Sequence, residues 1–62
     1  MLLRDLLNTV DYDEQINLWT RKGDLIESGI AQNDNIWGYG GYTVYKVSGA
    51  GAITLDVTIN MR

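Results

Sequence analysis

At 62 residues, with neither cysteine nor histidine, the chain has room for one domain at most (1–62). Its composition excludes disulfides, thiolate zinc sites, imidazole metal ligands and the Ser-His or Cys-His nucleophile pairs of ordinary hydrolases. Five Lys and Arg against eight Asp and Glu give a formal charge of −3. A nucleic-acid-binding face, which draws affinity from clustered cations, is therefore not expected.

The apolar fraction of 45% suffices for a folded core rather than a disordered chain. So short a chain nevertheless has a thin margin between burial and lost entropy, which favours a homodimer or higher oligomer. In chain order, Leu2, Leu3, Leu6, Leu7 and Val10 recur at the spacing of one helix face, with Arg4, Asp5, Asn8 and Thr9 opposite. This predicts an amphipathic helix over the first ten residues, with Asp11-Tyr12-Asp13 as its exit. The segment is too short for a membrane span and lacks a cleavage-type sequence, so no membrane partner is expected and the cytoplasm is the expected compartment.

The period then falls to two. Ile16 and Leu18 point one way, and Gln15, Asn17 and Trp19 the other. Arg21-Lys22-Gly23-Asp24 forms a turn, and Leu25 to Ala31 returns as the second strand of a hairpin. Gln32 to Asn35 is polar and turn-prone. Ile36 to Gly41 reads either as a glycine-kinked approach to a strand or as an ordered loop. Tyr42 to Ser48 is a third strand and Gly49-Ala50-Gly51 a tight turn. Ala52 to Asn60 is a fourth strand, with Ile53, Leu55, Val57 and Ile59 buried and Thr54, Asp56, Thr58 and Asn60 outward. The expected fold is α+β: a short N-terminal helix packed on a four-stranded antiparallel meander, with a small half-open barrel as its variant.

The run Leu2-Leu3-Arg4-Asp5-Leu6-Leu7-Asn8-Thr9-Val10-Asp11, followed by Ile16-Asn17-Leu18 and then Lys22-Gly23-Asp24-Leu25-Ile26-Glu27-Ser28-Gly29, resembles short α+β proteins common in phage and prophage genomes of Gram-positive bacteria. These open with a leucine-rich helix and continue into a β-hairpin. The resemblance covers about the first half of the chain. It implies a phage accessory or host-interaction protein and carries no transferable site.

Asp11, Asp13 and Glu14 could in principle ligate a hard cation, but they lack the glycine and distal Glu of an EF-hand loop. A solvated helix-to-strand junction is the more economical reading. Gly38-Tyr39-Gly40-Gly41 has no following Lys-Ser/Thr pair, so it is not a phosphate loop. No cofactor is expected. Trp19, Trp37, Tyr39, Tyr42 and Tyr45 are a heavy aromatic load. Either they complete the core or some remain exposed as interface anchors. Stacking on single-stranded nucleic acid is a further reading that the missing basic groove disfavours.

Together these readings predict a non-enzymatic protein-binding module, an accessory protein of a phage or mobile element that docks on and inhibits or modulates a host protein such as a defence nuclease. Asp11, Asp13, Glu14 and Asp34, with Asp24 and Glu27, would meet a basic surface, and Trp37, Tyr39 and Tyr42 would be the anchors. The alternative is a self-assembling structural or accessory homo-oligomer, with a small-ligand or nucleotide site between subunits.

Overall fold

The computed structural model describes residues 1–49 and 54–61. The elements are α1 (Leu3–Leu7), β1 (Gln15–Trp19), β2 (Leu25–Ile30), α2 (Asp34–Trp37), β3 (Val44–Ser48) and β4 (Thr54–Ile59). The α+β class holds. The predicted tight turn at Ala50 and Gly51, and the first residues of the predicted fourth strand, Ala52 and Ile53, lie outside the described residues.

The antiparallel meander does not hold. The sheet order is β2-β1-β4-β3, and the two central strands, β1 and β4, run parallel with Ile16 opposite Leu55 and Leu18 opposite Val57. The two expected hairpin pairings, β1 with β2 and β3 with β4, are antiparallel. They lie side by side through the first strand of one and the last strand of the other. The order is linear with β2 and β3 as edges, so the sheet is open rather than a half-closed barrel.

The cause lies in residues 31–43. From edge strand β2 to edge strand β3 the chain must cross three strand spacings, about 14 Å. A tight turn cannot do that. The segment instead forms α2 and passes along the buried face of the sheet. Expected as polar turn followed by strand or loop, it contains a helical turn. Asn33 is its N-cap, with Oδ1 accepting from the Asn35 N–H at 2.8 Å, and Ile36 is fully buried. Gly29 of β2 makes room for this cap. A Cβ at Gly29 would stand 2.9 Å from Asn33 Nδ2.

The first helix is shorter than its apolar stripe suggests. Thr9 closes it, because its N–H and its Oγ1 both donate to the Leu6 carbonyl, at 2.9 and 2.7 Å. At the start, the Asp5 carboxylate accepts from the Leu2 N–H at 3.4 Å. Five residues of helix are not stable alone. Here the preceding chain is pinned to the approach to β3: the Leu3 N–H donates to the Tyr42 carbonyl and the Val44 N–H to the Met1 carbonyl, both at 2.8 Å.

Leu3, Leu7, Ile16, Leu18, Ala31, Ile36, Val57 and Ile59 form the core. The period-two reading of β1 and β4 therefore matches the structure. Ile16, Leu18, Val57 and Ile59 are fully buried, and Leu55 packs half-buried beside them. Among the described residues, no helix is long and apolar enough to cross a membrane.

Candidate functional site

Both helices sit on one face of the sheet, which leaves the other face for the polar residues of the alternating strands. There a hydrogen-bonded chain crosses β2, β1 and β4. Gln15 Nε2 donates to Ser28 Oγ at 3.0 Å, and Ser28 Oγ donates to Asn17 Oδ1 at 2.7 Å. Asn17 Nδ2 and Trp19 Nε1 both donate to Asp56 Oδ1, at 3.2 and 3.0 Å. The register explains the convergence, because the parallel pairing sets Asn17 level with Asp56 and Trp19 level with Thr58.

At the turn end of this network the face is concave. A hollow of about 310 Å³ is lined by Trp19, Arg21, Tyr45, Lys46, Asp56 and Thr58, among others. Arg21 leaves the β1–β2 turn and lays its guanidinium over the Tyr45 ring, 4.0 Å from the centroid. The two partners come from opposite hairpins, so Arg21 straps across the end of β4.

Asp56 holds the network together. Replacing it with Ala leaves Trp19 Nε1 and Asn17 Nδ2 without an acceptor at a part-buried site. The expected cost is about 1–2 kcal/mol of unfolding free energy, because water reaches the site and replaces some of the loss. Urea unfolding measures it, and the Trp19 indole N–H resonance should shift in the same variant. A variant as stable as wild type with an unmoved indole signal would show the network to be passive.

A second surface lies at the opposite end of the sheet, where β1 begins and β2 ends. Two backbone hydrogen bonds tie the loops there: the Ala31 N–H donates to the Glu14 carbonyl at 2.8 Å and the Gln32 N–H to the Tyr12 carbonyl at 3.2 Å. Asp11, Asp13 and Asp34 are exposed at this end and Glu14 is half-buried. Tyr12 stands between the first two carboxylates with 77% of its surface exposed, the highest value among the exposed large apolar and aromatic side chains. Among the described residues, no three acidic side chains gather as a metal site.

Of the predicted residues, the structure brings Asp11, Asp13, Glu14 and Asp34 to one end, and Trp37 follows Asp34 by one helical turn on α2. Trp37 and Tyr39 are half-buried against the core. Tyr42 is 38% exposed near the start of β3, toward the other end of the sheet, with its ring centroid 6.1 Å from that of Tyr39. Sequence reasoning missed Tyr12, Arg21 and the Asp56 network. An aromatic residue between two carboxylates in a helix exit was the available signal for Tyr12. Asp56 gave none beyond its outward parity, because its partners depend on the parallel register.

Compared with protein-family models, with curated proteins and with solved structures, the chain matches none.

Proposed function

We propose that the chain is a non-catalytic protein-binding module that docks its acidic end on a basic surface of a partner protein. The resemblance to small phage proteins supports a host protein as that partner, inhibited or modulated by the contact. One observation carries the reading: an exposed Tyr12 framed by Asp11 and Asp13, with Asp34 at the same end. Tyrosine is a preferred interface anchor because it buries a large area at low conformational cost. The surrounding carboxylates raise the association rate toward a cationic target more than they raise affinity. The cationic residues Arg21 and Lys22 lie in the turn at the far end of the sheet, so the excess negative charge is concentrated where Tyr12 projects.

The test is capture from bacterial lysate by the immobilised chain, followed by binding to the purified captured protein. Asp11→Asn, Asp13→Asn and Asp34→Asn combined should slow association at least tenfold at low salt and flatten the salt dependence. Tyr12→Ala should instead speed dissociation, costing about 2 kcal/mol of affinity. Both variants change exposed side chains, so thermal unfolding should be unaltered. Binding that is indifferent to both variants and to salt would refute the reading.

A further inference from the structure

We propose that the hollow on the open sheet face is a second site, separate from the acidic end, for a small ligand that joins a flat ring to a phosphate group, as a nucleotide does. The first argument is charge. The chain carries −3 overall, yet the hollow is lined by two cations, Arg21 and Lys46, and one anion, Asp56. The local sign is therefore opposite to that of the molecule. The Asp56 carboxylate keeps its charge, but its Oδ1 is turned to Asn17 and Trp19, from which it accepts.

The second argument is shape and chemistry. Trp19 and Tyr45 are the aromatic residues of the lining, and Trp19 is only half-buried. Trp19 is held by its indole hydrogen bond at 3.0 Å, whereas one face of the Tyr45 ring is taken by the Arg21 guanidinium at 4.0 Å, which makes Trp19 the stacking surface. An aromatic surface held in place stacks a flat ring without losing much side-chain entropy. A guanidinium stacked on an aromatic ring keeps its edge N–H donors available for a phosphate in bidentate geometry. Lys46 adds a point charge from the facing strand, and Thr58 contributes a hydroxyl. An inorganic anion would use only the cations, and a neutral ring only the aromatics. The hollow offers both beside one another, in a volume of about 310 Å³ that lies at the small end of the range for small-molecule sites.

The test is a titration of the ¹⁵N-labelled chain followed by NMR, with the Trp19 indole N–H signal assigned by its loss in Trp19→Phe. Adenosine monophosphate should shift that signal saturably, while adenosine and inorganic phosphate at equal concentration should each bind at least tenfold more weakly. Arg21→Ala should weaken the nucleotide about tenfold, and Arg21→Lys should recover only part of the loss. A short oligonucleotide separates two sources of the same chemistry: tighter binding than the mononucleotide assigns the site to a strand end, equal binding to a free nucleotide. No saturable shift at millimolar nucleotide, phosphate binding as well as the nucleotide does, or an Arg21→Ala variant that binds normally would each overturn the proposal. The acidic-end variants should titrate like wild type, so this site can fail without touching the protein-docking reading.

Discussion

Leu18→Ala should lower the free energy of unfolding by about 2–5 kcal/mol, the cost of deleting a buried leucine side chain and leaving a cavity. For a chain of this length the whole stability is roughly 3–9 kcal/mol at ~0.05–0.15 kcal/mol per residue. The variant should therefore lose a large share of its stability, and at the low end of that range it should be unfolded at room temperature. Leu18 is fully buried on a central strand, level with Glu27 of β2 and Val57 of β4. Both neighbouring strands pin its backbone, so the cavity cannot close by a strand shift that would break two ladders. Leu25 is the control, since it is the same residue type at the edge and is 53% exposed. Leu25→Ala should cost less than about 0.5 kcal/mol. Urea unfolding followed by circular dichroism reads both. A Leu18→Ala loss below about 1 kcal/mol would mean that β1 is not central.

That centrality is the part of the fold that periodicity alone could not give. Alternation in Gln15–Trp19 and Thr54–Ile59 correctly assigned which side chains are buried, because a half-buried strand reports its two faces in every second residue. It carries no information about which strand lies beside which. Consecutive strands joined by short turns pair as hairpins, and both hairpin pairings were foreseeable. The partnership of β1 with β4 depends on where residues 31–43 deliver the chain. Asn33 before Asp34-Asn35-Ile36 is a helix-start pattern, with a capping side chain ahead of an acidic first turn. Four residues of helix leave too short an apolar stripe to stand out against the three nearby glycines, Gly38, Gly40 and Gly41.

The same limit applies to the surfaces. The acidic end was legible because Asp11, Asp13 and Glu14 are neighbours in sequence, and Asp34 joins them through the hydrogen bonds of Glu14 and Tyr12 to residues 31 and 32. The exposure of the aromatic residues was not legible, because it depends on position in the fold rather than on their number. Trp37 follows buried Ile36 on α2 and packs half-buried against the core, whereas Tyr12 sits in a turn with little beneath it. The hollow was not legible at all. Arg21 and Tyr45 are far apart in sequence, and they meet only because β4 lies between their strands.

Gly49→Ala should be the second most damaging substitution, at about 3 kcal/mol, and Gly23→Ala separates its two causes. Both glycines have positive φ, +116° at Gly49 and +94° at Gly23, where an L side chain is strained. At Gly23 a Cβ would meet nothing within 4 Å, so Ala there bears only the backbone strain, about 1–2 kcal/mol. At Gly49 the Cβ would stand 2.5 Å from the Thr54 carbonyl oxygen and 3.4 Å from Leu55 Cα. Those are backbone atoms of β4, which cannot rotate aside as a side chain could. Relief requires β3 and β4 to move apart at Ser48 and Asp56, the last pair of their ladder among the described residues. Because Asp56 holds the Trp19 indole, the strain should reach the open face as well, and the Trp19 indole N–H resonance should shift in Gly49→Ala but not in Gly23→Ala. Equal losses in the two variants would show that φ alone sets the cost and that the end of β4 yields freely.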